Sequence, residues 1–228
     1  GILAVMGITG SVVAYMSSYP IQASIESISR QPFFSKKIQI FTIIMQSIMQ
    51  TPIIMAFLIA LTIKTQCLNS TSYNDSLRLI GAGLALGLGS IGPTIGLGLF
   101  LQQACTSLGI NRFSYSKIFS FSFISEAMIG ASVIFSLLIS LFILNSSISE
   151  TDSLLPGITF LAAGICMGLG TIGVGLGLGK IAQKAAHVIG INPGLHSDLS
   201  KTSIVAQALI EAQTIYAFII ALKILRTM

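Results

Sequence analysis

The feature that most constrains this chain is a run of apolar and small residues as long as a bilayer core requires, with one carboxylate at its middle. Residues Ile204–Leu222 read IVAQALIEAQTIYAFIIAL, and Glu211 carries the only charge. An ionisable group at that depth costs about 2.5–3.5 kcal/mol on insertion scales, so its default reading is functional. The arrangement recurs twice upstream. Around Glu126 the chain reads FISEAMIGASVIFSLLISL, and around Gln50 it reads SIMQTPIIMAFLIALTI, with an amide where the acid would stand.

With 53% hydrophobic and 8% charged residues, the chain falls far below the roughly 25% charge of soluble domains. It reads as an all-α integral membrane protein. Net charge is +5 with no basic run and no Trp, which argues against nucleic acid as a partner. Cys67, Cys105 and Cys166 are far apart and share no metal-ligand or disulfide spacing. Cys105 and Cys166 fall in apolar segments, where a small packing residue is the simpler reading. No metal and no cofactor are expected.

Six apolar stretches appear, at about 1–28, 38–64, 78–109, 114–146, 154–190 and 198–226. Each can cross about 30 Å of hydrocarbon at about 1.5 Å per residue. The first is followed by further spans and reads as a helix rather than a signal peptide. Two kinds of break alternate. Arg30-Gln31-Pro32, Asn111-Arg112 and Asn192-Pro193 are short turns; QCLNSTSYND and NSSISETDS are longer and polar. The result is a two-helix unit repeated three times in parallel, with hairpins expected at 1–66, 76–147 and 154–228. Pro32 to Gln50 and Pro193 to Glu211 are both 18 residues, whereas Arg112 to Glu126 is 14. Four residues are about one helical turn, which keeps the acid on the same face at another depth.

Charge orients the hairpins. The tight-loop side carries Arg30, Lys36, Lys37, Arg112, Lys117, Lys180, Lys184 and Lys201. The other side has Lys64, Arg78, Lys223 and Arg226 together with Asp75, Glu150 and Asp152. The positive-inside rule predicts cytoplasmic tight loops and termini outside.

The third and fifth stretches are dense in glycine. Gly83, Gly87, Gly92 and Gly96 mark one; Gly168, Gly173, Gly175 and Gly177 mark the other. Glycine disfavours helices by about 1 kcal/mol each in water, so this density needs a packing reason: close backbone approach in an inner circle of helices. Both stretches contain GxGxxG, but neither the strand nor the later acid of a dinucleotide site accompanies it. Pro93 is expected to kink the third stretch. The first stretch, with Gly7 and Gly10, has lost most of the pattern.

A glycine-rich helix, a short polar loop and a helix with a mid-membrane carboxylate resemble the hairpin of the rotor-ring proteolipid (the c subunit) of rotary ATP synthases and ATPases. The resemblance covers the chain as three fused hairpins. Ile210-Glu211-Ala212-Gln213-Thr214-Ile215-Tyr216 is similar to the family's ion-site signature, and Arg30-Gln31-Pro32 to the loop of its F-type branch. Asn192-Pro193 is a common variant, and the second loop lacks the proline. Fused hairpins are more typical of vacuolar and archaeal relatives. The resemblance implies a ring of copies with glycine helices inside and carboxylate helices outside. It implies ions loaded on Glu126 and Glu211 through the arginine-bearing stator of the machine, and loops that pass torque to the central stalk. It implies no catalysis in this chain, and a bacterial inner membrane or an energy-transducing organelle membrane.

Sodium-binding relatives supply a Gln or Glu from the glycine helix and a Ser or Thr after the acid. The matching positions here are Leu178 and Leu97, then Ala212 and Ala127, so the expected cargo is the proton, with sodium as the alternative. Tyr216 and Gln207 are candidate supports for Glu211; Ala131 and Ser122 stand at the corresponding places beside Glu126. Gln50 cannot ionise and marks a degenerate site. A proton-coupled transporter would instead require inverted repeats and more buried charge.

Overall fold

The computed structural model describes residues 1–68, 72–146 and 154–226. Glu150 and Asp152, placed on the far side by charge, lie outside the described residues. The helices are α1 (Thr9–Arg30), α2 (Ser35–Met49), α3 (Thr51–Cys67), α4 (Tyr73–Gly89), α5 (Ile91–Ile110), α6 (Tyr115–Asn145), α7 (Leu155–Ile191) and α8 (His196–Arg226). A wider-wound π segment, Leu3–Ile8, runs directly into α1. No strand occurs among the described residues.

These elements form three parallel hairpins in two layers. The inner layer is α1, then α4–α5, then α7, with α5 packed between α1 and α7. The outer layer is α2–α3, α6 and α8. Helix α6 lies against α4, α5 and α7 as well as against α8, so an outer helix sits in the groove between two inner ones. Five segments are long and apolar enough to span a membrane: Pro32–Cys67, Tyr73–Ile110, Arg112–Asn145, Leu155–Ile191 and Pro193–Arg226. The sixth, α1 with its π segment, is richer in serine. Its Ser27 hydroxyl turns inward to the Cys105 carbonyl at 2.8 Å, and its Thr9 hydroxyl meets that of Ser90 at 2.9 Å. The spans exceed 30 residues, or about 45 Å or more of helix, and so project beyond the hydrocarbon.

The three tight loops share one geometry. Gln31, Asn111 and Asn192 leave the helix at φ −134°, −142° and −123°. Their N–H groups still donate back to the Ser27, Ser107 and Val188 carbonyls, at 3.0, 3.0 and 2.8 Å. A single 3-10 turn follows each: Pro32–Phe34, Arg112–Ser114 and Pro193–Leu195. The missing proline of the second loop is compensated locally. The Asn111 side-chain oxygen accepts the Phe113 N–H at 3.0 Å, the Asx turn that a short amide side chain makes readily.

Two of the six spans break: the third near Pro93, where a kink is expected, and the second at Gln50, where the sequence suggests continuity. Helix α2 stops at Gln50 and α3 resumes at Thr51; α4 stops at Gly89 and α5 resumes at Ile91. Proline is the cause in both, since it removes the bond to the carbonyl four residues earlier. Pro52 frees the Ile48 carbonyl, which the Thr51 hydroxyl takes at 2.6 Å. Pro93 frees the Gly89 carbonyl, which the Thr171 hydroxyl of α7 takes at 3.2 Å.

The glycines place the inner helices. A Cβ on Gly92 or Gly96 would run into the carbonyls of Ile172 and Gly175. One on Gly175 or Gly179 would strike Pro93 and Gly96 in return. Gly83 and Gly87 abut the Gly1 and Ala4 carbonyls of the first hairpin, and Gly168 lies against Leu88. Two positions expected in this role differ. A Cβ on Gly173 would meet nothing within 4 Å, and one on Gly177 would make only ordinary contact with Ile210 of α8, at 3.5 Å.

Replacing Gly96 by Leu is therefore expected to destabilise the chain by about 1–3 kcal/mol, the usual penalty for over-packing, whereas Gly173→Ala should be near neutral. Unfolding in mixed detergent micelles would compare the two.

Candidate functional site

Helix α6 holds Glu126 at the boundary between the first two hairpins. Its residue is 2% exposed. It borders a cavity of about 230 Å³ whose other walls include Thr51, Pro52 and Met55 of α3, Leu97 of α5 and Gly130 of α6. Neither carboxylate oxygen has a hydrogen-bond partner among the described residues. An ionised carboxyl in such a place needs a bound cation or a donor to offset its burial, whereas an uncharged one needs far less. The residue that follows, Ala127, and the inner-helix Leu97 both present alkyl groups to the same cavity. Ser122, one turn earlier and fully buried, also has an unpartnered hydroxyl.

Glu211 lies half-buried on α8. Gln207, one turn before it, is fully buried and donates to the hydroxyls of Ser203, at 2.9 Å, and Ser125 of α6, at 3.3 Å. Its amide thus ties α8 to α6 beside Glu126. Tyr216 is 67% exposed, so the structure leaves it facing outward. Gln50, at the break between α2 and α3, donates to the Ser17 hydroxyl of α1 at 3.2 Å.

Counting from the extended loop residue fixes relative depth. Glu126 is 15 residues beyond Asn111, level with Gln207 and Gln46; Glu211 and Gln50 are 19 beyond theirs, level with Gly130. The offset between the two acids is one turn, about 6 Å. Gly130 lines the cavity that faces the first hairpin, so the position it shares with Glu211 faces the preceding hairpin.

At the loops, Gln31 and Asn111 act across hairpins. The Gln31 amide donates to the Gly109 carbonyl at 2.9 Å, and the Asn111 amide to the Gly190 carbonyl at 3.1 Å. Arg112 stacks on its neighbour Phe113 at 5.1 Å. Arg30, Gln31, Pro32, Asn111 and Arg112 line one cleft between the first two loops; at the third loop the Pro193 carbonyl accepts from Lys117 of the second hairpin at 2.6 Å. Sequence reasoning missed Ser125, Thr51 and Met55, since nothing in a single chain marks which outer-helix residues face each other across a groove.

Two carboxyls within apolar spans, one buried and one half-buried, on parallel glycine-seamed hairpins define an integral membrane protein with acids set among its helices. The sequence profile of the ATP synthase C subunit matches residues 80–143 and again 161–224. Among similar proteins, the ATP synthase c subunit of Sulfurovum sp. (strain NBC37-1) is 38% identical over 73 residues, 32% of this chain and 72% of that protein. The c subunit of Geotalea uraniireducens (strain Rf4) is 42% identical over 65 residues, 28% of this chain and 71% of that protein. That of Prochlorococcus marinus (strain AS9601) is 38% identical over 74 residues, 32% and 91% respectively. The chain belongs to the family of the ATP synthase C subunit, with two copies of its hairpin recognisable by sequence and a third in the fold.

Because a Cβ on Gly130 would meet nothing within 4 Å, Gly130→Leu should fold and fill the cavity beside Glu126. Labelling by a hydrophobic carbodiimide is expected to drop several-fold at Glu126 and to persist at Glu211, read by peptide mass spectrometry.

Proposed function

We propose that this chain is a rotor component of a rotary ATP synthase or ATPase, that copies of it form a ring, and that Glu126 and Glu211 each carry a proton across the membrane. The observation that carries this reading is the Glu126 carboxyl, buried and unpartnered in a cavity walled by Leu97 and Ala127. Sodium needs several oxygen ligands around it; besides the carboxyl, the one side-chain oxygen among this cavity's lining residues is the Thr51 hydroxyl, which already donates to the Ile48 carbonyl. A proton needs only the carboxyl itself.

In this reading each acid takes a proton from one half-channel of the stator and crosses the lipid face uncharged. It releases the proton near the stator arginine, where a positive charge favours the carboxylate. The tight loops, with Arg30, Gln31, Pro32, Asn111, Arg112, Asn192 and Pro193, bear on the central stalk and pass on torque. They lie on the cytoplasmic side and the termini outside, in a bacterial inner membrane or an energy-transducing organelle membrane. The first hairpin, with Gln50, fills ring space without carrying a proton. No bond is made or broken in this chain.

Carbodiimide labelling across pH, with and without sodium, tests the cargo. Labelling at Glu126 and Glu211 that fades only as pH rises fits a proton rotor. Suppression by millimolar sodium would sink the proton reading in favour of sodium, and absence of labelling at both would sink the rotor reading. Glu126→Gln and Glu211→Gln are each expected to abolish most ATP-linked proton movement, whereas Gln50→Glu should raise the number of protons moved per ATP.

A further inference from the structure

The inner layer carries two lysines that no acid of the described chain answers. Lys180 and Lys184 stand four residues apart on α7, and both are exposed; that spacing puts them on one side of the helix. The ion pairs among the described residues are Arg30 with Glu26 and Arg78 with Asp75, so neither lysine is in one.

Their depth is unusual for free charge. The midpoint of Leu155–Ile191 is Gly173, which is level with Glu211: each is 19 residues from Asn192. A hydrocarbon core of about 30 Å reaches about ten residues either way along a helix. Lys180, seven residues from the midpoint, falls inside it, and Lys184, eleven away, at its edge. A lysine inside that zone extends its stem toward the headgroups. Both ammonium groups are thereby drawn to one level, where lipid phosphates stand.

At that level α5 and α7 enclose a polar cleft of about 200 Å³, lined by Gln103, Gln183, Lys184 and His187. The Gln103 amide donates to His187 Nδ1 at 3.0 Å, which leaves a neutral ring its proton at Nε2. The cleft thus offers donors and positive charge, and no carboxylate lines it. Toward the midpoint the same surface turns apolar. Leu169 of α7 is 57% exposed, and a Cβ on Gly173 would meet nothing within 4 Å. On α5, Leu99 and Ile95 are partly open, and Ile95 borders a groove of about 380 Å³ against Tyr15 and Met16 of α1. From Gln103 to Ile95 is eight residues, about 12 Å of helix. Water alone would leave this stretch wet. An amphiphile with a negative head and apolar chains satisfies both ends, and basic pockets between spans on the positive side of a membrane suit such heads.

We infer that the inner surface of α5 and α7 binds an anionic phospholipid. Lys180 and Lys184 hold its phosphate beside Gln103 and His187, and its chains run over Leu99, Ile95 and Leu169 toward the midpoint. Seated there, the chains keep water from the back of the glycine seam. The site goes beyond the rotor reading and does not depend on it, since it needs only these two inner helices and neither carboxyl.

Native mass spectrometry of the full chain purified from membranes tests the site, with phosphatidylglycerol and phosphatidylcholine of identical chains as probes. Phosphatidylglycerol should be retained at several-fold lower concentration, and K180Q/K184Q should abolish that preference. K36Q/K201Q removes as much charge from the loop end and the outer layer and should keep it, as should K180R/K184R. Equal retention of the two lipids, or a preference lost alike in both Gln pairs, would overturn the site. Displacement of the lipid by millimolar inorganic phosphate would assign the cleft to a soluble anion and overturn the lipid. A photoreactive acyl chain should label peptides of α5 and α7; labelling confined to α6 and α8 would overturn the seat of the chains. Carbodiimide labelling of Glu126 and Glu211 is expected to be unchanged in K180Q/K184Q, so the lipid site and the rotor reading fail separately.

Discussion

Backbone against backbone is the contact on which the rest of this structure depends. Lipid gives apolar side chains no reason to prefer one another, so helices associate through close packing and the polar bonds that closeness allows. At the α5–α7 seam, Gly92 and Gly96 of one helix interlock with Gly175 and Gly179 of the other so tightly that no Cβ fits. That approach brings Ser107 within 3.1 Å of the Ala186 carbonyl and Asn111 within 3.1 Å of the Gly190 carbonyl. The inner layer then fixes the grooves in which α6 and α8 lie, and so fixes where Glu126 points.

The same constraint governs the prolines. A freed carbonyl within lipid costs several kcal/mol unless something donates to it. Pro52 is served by its own neighbour Thr51, and Pro93 by Thr171 from the adjoining helix. The second solution links hairpins: its donor belongs to the third, a hydroxyl that also lies 2.9 Å from the Gly168 carbonyl of its own helix. The break at Pro52 also brings α3, with Thr51, Pro52 and Met55, alongside the Glu126 cavity.

Much of this was legible in the sequence. The length of the apolar runs, their glycine content and the spacing from turn to carboxylate specify six spans, three hairpins and two acids, because lipid leaves the backbone so few options. Pro93 announced its bend. Pro52 did too, but it sits beside the Gln50 position and was overshadowed by it. What one chain could not reveal is lateral: that Gln207 commits its amide to Ser125 and Ser203 rather than waiting beside Glu211, that Gly173 faces open space, and that Tyr216 points outward. Helical periodicity sorts residues by angle around one axis, and these facts depend on which helix stands across the groove.

The offset between the acids poses a final quantitative question, whether one machine can use carboxyls at two depths. One turn is about 6 Å, a fifth of a hydrocarbon core of about 30 Å. A unit charge crossing the whole membrane at 100 mV gains about 2.3 kcal/mol, so a fifth of that path is worth about 0.5 kcal/mol. Insertion of an unpaired charge at the bilayer centre costs about 2.5–3.5 kcal/mol. Burial therefore outweighs depth several-fold in setting whether each acid can stand ionised. Surroundings, with Glu126 buried against Leu97 and Glu211 half-buried, distinguish the two sites more than their height does.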